Sequence, residues 1–378
     1  MTGTTPGEIP LPGGSTSPFD AVFGAKVAGE ARQLAFYKWR SEIVRVEITN
    51  NFGKLVVAIV CFCGTAGLHA ANVNDILQRY QPRAIALPKA AGYLTADGAV
   101  RITGYNDMRD MLEALGAIFA KAQPGVRFEW DLRGTRFAPA ALAAGTSAFA
   151  PMGAEFTPTQ LAEFRAATGE EPLAIRVAHA SLDPQALSGP LGIFVHRDNP
   201  LTSLTLAQVA RVFTGEAVRW GDLGLTGAWA DRPIRTYGVE RDRVLAQFLR
   251  ERALDGHEFA KEMRGFPQSA DVVKKIGEDA SGIGFAAAMR TFTGVRTLAI
   301  AARAGERAVA PTAEDIMAGA YPLDRFLLIY VRRPILPVAR EFLRLVLSSE
   351  GQAAVASASQ GYLPLYPNDA AAERAKLD

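Results

Sequence analysis

Cysteine is almost missing from this 378-residue chain: Cys61 and Cys63 are the only two, and neither has Cys or His partners at zinc-ligand spacing. A structural zinc site is therefore excluded. Histidine is as scarce. His179, His196 and His257 stand far apart with no H-E-x-x-H pair, so they read as surface or core residues. No G-x-S-x-G nucleophile elbow is present either. Excess charge of one sign is lacking, since 41 basic against 39 acidic residues leave a net of +2. That balance argues against a dedicated nucleic-acid binder, which carries a basic stripe. No apolar run reaches the ~20 residues of a membrane-spanning helix. The 35 glycines and 22 prolines follow no fixed period, which excludes collagen-like and repeat architectures. What is present is 49% hydrophobic and 21% charged side chains, over a length sufficient for two ordinary domains.

Residues 54–70 read KLVVAIVCFCGTAGLHA: a lysine, then roughly a dozen uncharged apolar residues, then small residues and Leu68-His69-Ala70. This is the grammar of a secretory signal cleaved after Ala70, and the other reading is a buried helix or strand of a folded extension. The segment 1–53 is expected to be an unstructured extension, or one that precedes a true start near Asn50 to Lys54, because 1–18 is rich in Gly, Pro, Ser and Thr. Both cysteines leave with such a leader, which suits an oxidising, extracytoplasmic compartment. Neither follows a lipoprotein box, so a soluble exported protein is expected over a lipid-anchored one.

From Val100 onward strand-like and helix-like segments alternate. Val100 to Thr103 is a β run, and Gly104 to Asp107 a turn. Met108 to Ala122 then has Met108, Met111, Leu112, Leu115, Ile118 and Phe119 on one helical face. Val126 to Leu132, Leu191 to His196, Ile234 to Tyr237 and Phe326 to Val331 read as further strands. Helices are expected over Pro139 to Ala144, Thr205 to Phe213 (capped by Ser203 or Thr205), Arg243 to Arg252, Ser269 to Ile276, Val338 to Leu347 and Gly351 to Ser359. The repeat predicts an α/β fold with a largely parallel sheet, in two lobes joined by crossing strands. Gly282 to Ala287 fits a relaxed G-x-G-x-x-A pattern but follows a charged helix, so its glycines are read as packing residues.

Ligands in open α/β sheets bind beyond the carboxyl ends of strands, where helix amino termini present free N–H groups and partial positive charge. Three turns have that grammar: Gly104 to Asp107, Gly134 to Phe137 and Gly238 to Arg243. Arg136, Arg241 and Arg243 can add charge-assisted bonds to an oxyanion. The alternative is that these are ordinary turns with solvated arginines.

Several segments, in order, resemble the phosphate-binding PstS-like group of type II periplasmic binding proteins. They are ITGYNDM at 102–108, GTSAFAPMG at 145–153, IFVHRDNPLTSLTLAQVARVFTGEAVRWGDL at 193–223, YPLDRFLLIYV at 321–331 and FLRLVLSSEGQ at 342–352. The resemblance implies a two-lobed clamp with the ligand cleft between lobes, and delivery to an ABC permease driven by its ATPase. It places lobe I at 98–178 plus 321–368 and lobe II at 179–320. Its ligand loops fall on Tyr105, Asn106 and Asp107, on Gly134, Thr135 and Arg136, on Ser147 beside Ala148, and on Arg241 and Arg243.

The departures from that family are specific. Ala148 stands where the family carries an aspartate that accepts from a protonated phosphate oxygen, and Gly153-Ala154 replace a polar pair. Glu240-Arg241-Asp242-Arg243 replaces a Ser-Gly-Thr turn, and Asp107 replaces a threonine. A carboxylate at Asp107 can cap its own helix and occupy the amides an anion would use. Asp107 and Glu240 oppose an anion unless they pair with the arginines. The expectation is a monomeric protein without cofactor or metal that captures phosphate or a related oxyanion. The alternative is an envelope sensor on the same fold that has lost phosphate, and a phosphate-ester hydrolase is the weakest reading.

Overall fold

The helical spacing after Met108 folds as expected, and its apolar face starts one lobe. In this computed structural model, which describes residues 77–378, β1 (Val100–Thr103) leads into α1 (Arg109–Ala122) and β2 (Phe128–Asp131). Met111, Leu112, Leu115 and Phe119 of α1 are wholly buried, and β2 lies parallel to β1 with Trp130 opposite Ile102. Next come α2 (Ala138–Ala143), β3 (Ala150–Met152) and α3 (Pro158–Thr168), the last held by a Thr157/Gln160 capping box and ended by left-handed Gly169. The leader expected at 54–70 and the extension at 1–53 lie outside the described residues. Among the described residues no helix is long and apolar enough to cross a membrane.

β4 (Leu173–Ser181) carries the chain out of this lobe. The second lobe holds β5 (Leu191–His196), β6 (Ser203–Thr205), α4 (Leu206–Thr214), β7 (Arg235–Val239), α5 (Val244–Ala253), β8 (Arg264–Phe266), α6 (Ser269–Gly277), β9 (Gly282–Ala287), β10 (Val295–Thr297), β11 (Ala299–Ala301) and α7 (Ala313–Met317). Thr205, one of the two expected caps, closes a capping box with Gln208 on α4. The chain then returns through β12 (Phe326–Val331), α8 (Pro337–Val346), α9 (Ser349–Ala356), β13 (Tyr362–Leu363) and α10 (Pro367–Ala375).

The expectation of a largely parallel sheet is corrected. The four-stranded sheet of the first lobe, ordered β13-β4-β12-β3, pairs antiparallel throughout. In the five-stranded sheet of the second lobe β10-β5-β9 is antiparallel and β9-β7-β8 parallel, and among the described residues parallel pairing is otherwise confined to the two-stranded β11-β6 and β1-β2. The cause is the route between lobes: β4 leaves along the path by which β12 returns, and neighbouring strands that leave and return run opposite ways. The glycine run of β9 is sheet core. A Cβ at Gly284 would lie 2.7 Å from Tyr237 O and one at Gly282 3.0 Å from the Tyr237 ring, which bears out the packing role.

Each lobe has its own core. In the first, Phe342 of α8 stacks on Phe149 at 4.8 Å and meets Phe128 edge-on at 5.2 Å, with Phe119 and Trp130 beside them. In the second, Phe285 of β9 stacks on Phe259 at 5.5 Å and meets Phe213 at 5.3 Å, with Trp220 buried nearby. Two connections, 182–190 and 321–325, link the cores and bond to each other through Arg325 Nη1, which donates to Gly189 O at 3.3 Å; beside them Leu191 N donates to Leu323 O, and Tyr321 Oη to Leu191 O at 2.7 Å.

First-lobe packing extends past the 98–368 span read from sequence. Residues 77–88 have no helix or strand, yet they strap the lobe. Tyr80 Oη and Arg83 N both donate to Glu341 Oε1 at 2.9 Å, and Tyr80 N donates to Glu350 Oε2 at 2.7 Å. Burial works to raise the Glu350 pKa, but donation from Tyr80 N, Ser349 Oγ and Arg79 outweighs it and holds the carboxyl at about 2, against an ordinary 4.5. A carboxyl depressed by folding adds stability that is present above the unfolded value and lost as pH falls through the folded one. Acidification from 4.5 toward 2 is therefore expected to loosen the strap, seen as weaker protection of the Tyr80 amide relative to its intrinsic exchange rate at each pH. Glu350→Gln is expected to remove that pH dependence. An unchanged acid profile in the variant would place the sensitivity elsewhere.

Candidate ligand-binding site

Between the lobes lies a cleft of about 280 Å³. The first lobe contributes Tyr105, Thr135, Gly153 and Ala154. The second contributes Val239 and two helix starts, Arg243-Val244-Leu245 of α5 and Pro267-Gln268-Ser269 of α6. Leu187, Ser188 and Arg325 arrive on the two connections.

Tyr105 ends the strand-to-helix turn after β1 and is buried. Its hydroxyl hydrogen-bonds Ser188 Oγ at 3.2 Å, and burial pushes its pKa up to about 12. Gly153 must be glycine, because a Cβ there would strike the Tyr105 ring and lie 2.8 Å from Ser188 Oγ. Gly134 has φ of +124°, and its N–H donates to Gly104 O at 2.9 Å; this kink sets Thr135 against the cleft.

At the second lobe, neither α5 nor α6 has a side-chain bond at its amino terminus, where Arg243 and Gln268 stand as caps. Both helix starts therefore face the cleft with unpartnered N–H groups and partial positive charge. Arg243 pairs with Glu240 at 3.0 Å, so that carboxylate is engaged as the pairing alternative anticipated.

Arg325 is the residue that sequence reading missed. Only 4% of its surface is exposed, yet among the described residues it forms no ion pair. Nη2 donates to Gly153 O at 3.0 Å and Nη1 to Gly189 O at 3.3 Å, while Nε has no partner. Phe248 of α5 lies 5.6 Å beneath the guanidinium, so Arg325 touches both lobes and both connections. Burial pulls its pKa down, and the nearby Glu155, Tyr105 and Asp324 work against that. A buried guanidinium without a counter-ion is costly, and an anion in the cleft relieves that cost.

Of the residues expected in the ligand loops, Tyr105, Thr135 and Arg243 line the cleft together, and the others do not. Ser147 is buried in the first lobe, where its Oγ donates to Phe149 O at 2.6 Å and accepts from Thr103 N at 2.8 Å. Ala148 beside it packs in the core, and Gly153-Ala154 form the wall instead. Arg241 donates to Ala260 O at 2.7 Å, away from the cleft. Arg136 is exposed over the Phe137 ring at 4.6 Å, and Asn106 is exposed beside Gly134. Asp107 does not cap its own helix as expected. Its Oδ2 accepts from Leu187 N at 3.2 Å and Tyr362 Oη at 3.0 Å, bracing a connection against the first lobe. Among the described residues no cluster of His, Cys, Asp or Glu is suited to a metal.

Two α/β lobes, two connections and a cationic cleft between them define a bilobal solute-binding protein. Residues 89–350 match the family model described as the PBP superfamily domain, and the chain belongs to that superfamily. It is 30% identical over 328 residues to the phosphate-binding protein PstS of Pseudomonas aeruginosa, spanning 82% of this chain and 95% of that one. Among solved structures, an ABC-type phosphate transport receptor from Vibrio cholerae matches with TM-score 0.50 and 15% identity, over 70% of this chain and 99% of that one. PstS from Borrelia burgdorferi matches with TM-score 0.50 and 17% identity, over 71% and 98%. These two likenesses concern the fold. The PstS-like resemblance read from the motifs is thereby borne out.

Proposed function

We propose that this chain is an extracytoplasmic substrate-binding protein that captures a small oxyanion, with phosphate the first to test, and delivers it to an ABC permease and its ATPase. The observation that carries this reading is Arg325, a buried guanidinium with no carboxylate partner, set opposite two uncapped helix amino termini. The phosphate-binding relative from P. aeruginosa supports it independently. Tyr105, Thr135, Arg243 and Arg325 hold the anion, Asn106, Asp107, Gly134 and Arg136 shape the first-lobe rim, and the lobes close about 182–190 and 321–325. The protein works as a monomer with no chemical step, exported by the leader at 54–70. The alternative of an envelope sensor that has lost its ligand is not favoured, because Arg325 keeps an unanswered charge.

The test is thermal unfolding of the phosphate-stripped full chain, with phosphate and sulfate titrated separately. A ligand at 100 times its dissociation constant stabilises by ~2.7 kcal/mol, a shift of several degrees. A saturable shift is the expected result. A flat response to every oxyanion would overturn the proposal.

A further inference from the structure

The cleft lining is of two kinds. Arg325, Arg243 and the free N–H groups of the helix starts are cationic, and the side chains of Leu187, Val244, Leu245 and Pro267 are apolar. Leu187 is 66% exposed and Val244 44%. They are two of the five large apolar side chains left exposed among the described residues, and both stand at this one cleft, on a connection and on the second lobe. Water at that wall is displaced favourably only by an apolar group.

The bare phosphate ion leaves these apolar side chains unused. At neutral pH it keeps a P–OH, a donor that needs an acceptor when buried. Side-chain oxygens of Thr135, Gln268 and Ser269 line the cleft, but no carboxylate does among the described residues. Asp107 is engaged by Leu187 N and Tyr362 Oη, Glu240 by Arg243, and Gly153 O by both Arg325 and Ser188 Oγ.

Building on the oxyanion reading above, we infer that the cleft selects a phosphorus oxyanion bearing one short apolar substituent, of the alkylphosphonate or phosphate-monoester class. The oxygens lie toward Arg325 and the amino termini of α5 and α6. The substituent lies against Leu187, Val244 and Pro267, in the place of the P–OH, for which the cleft offers hydroxyl and amide oxygens but, among the described residues, no carboxylate.

Calorimetric titration of the full chain with inorganic phosphate, methyl-, ethyl- and propylphosphonate and ethyl phosphate tests this. Affinity is expected to climb from phosphate along the alkyl series, by about fourfold for each methylene that reaches the wall. Ethyl phosphate separates the ester from the phosphonate, and either one binding above inorganic phosphate supports the inference. In Leu187→Ser and Val244→Ser the ratio of propylphosphonate to phosphate affinity is expected to fall toward one. The wild-type series needs no variant to fold. Phosphate binding as tightly as every substituted ion would overturn the inference and leave the oxyanion reading standing. An alkyl gain untouched by both substitutions would overturn the assignment of the wall. No binding of any of these ions would overturn both readings.

Discussion

Replacing Arg325 with methionine is expected to cut oxyanion affinity by at least ~10- to 100-fold, the weight of one or more charge-assisted hydrogen bonds. The unliganded protein should meanwhile unfold almost as before. Two effects oppose each other in that unliganded state. The substitution removes a buried cation whose charge has no ion-pair partner, and apolar replacements of buried charged groups are commonly neutral or stabilising. It also removes two donors. Gly153 O retains Ser188 Oγ at 3.1 Å, whereas Gly189 O loses the 3.3 Å bond from Nη1. One orphaned carbonyl costs ~1–3 kcal/mol, so the net change should stay within about 2 kcal/mol. The measurement is thermal unfolding across an oxyanion titration: the variant should need at least ~10-fold more oxyanion than wild type for the same shift. Retained binding would move the anion away from Arg325. A collapse of the unliganded protein would instead make Arg325 a structural pin between the connections.

Arg325 also shows where reading the sequence runs out. The helix α1 and the strand β12 were legible because burial on one face imposes period 3.6, and burial on both faces imposes a continuous β-branched and aromatic run. Those are local consequences of packing. The cleft is not local: Tyr105, Thr135, Gly153, Arg243, Ser269 and Arg325 meet only after the chain has crossed between lobes and returned. Motif position therefore pointed to loops of which only Tyr105, Thr135 and Arg243 line the cleft, and it did not single out Arg325. Ser147 lies in an expected ligand loop and has its hydroxyl engaged by the backbone of Thr103 and Phe149. Arg325 did leave a trace, as a charge directly before the apolar run FLLIYV. A charge about to enter a buried strand must be paired or functional, and pairing is the part a sequence does not display. Strand direction was illegible for a similar reason. A βα repeat looks alike whether the next strand joins the same sheet or returns through another lobe.

Asp324, directly before Arg325, should be the position most sensitive to truncation. Its Oδ2 lies 2.7 Å from His179 Nδ1 on β4, and its Oδ1 accepts from the Arg325 N–H at 2.7 Å. Both side chains are buried, and His179 Nε2 already has no partner. Asp324→Ala would leave both ring nitrogens unpaired in the interior and free the segment that aims Arg325. A loss of ~3–5 kcal/mol is expected, as for other buried pairs broken from one side. Asp324→Asn keeps a polar group at the same place and should fold far better, so the two variants separate the role of the hydrogen bond from that of the charge. Burial raises the Asp324 pKa above 3.8, against the pull of the His179 bond. In the window just above 3.8 the folded protein then retains a proton that the unfolded chain has released. Stability accordingly falls as pH rises through that window, and nothing is contributed below both values. Denaturant unfolding of wild type and Asp324→Asn across that range checks the sign: the wild type should lose stability with rising pH relative to the variant. The opposite slope would mean that the pair is held as ions, with attraction to His179 outweighing burial. Because Asp324 fixes the backbone of Arg325, the alanine variant should also bind oxyanion more weakly at temperatures where it remains folded, so that a group outside the cleft governs the one inside it.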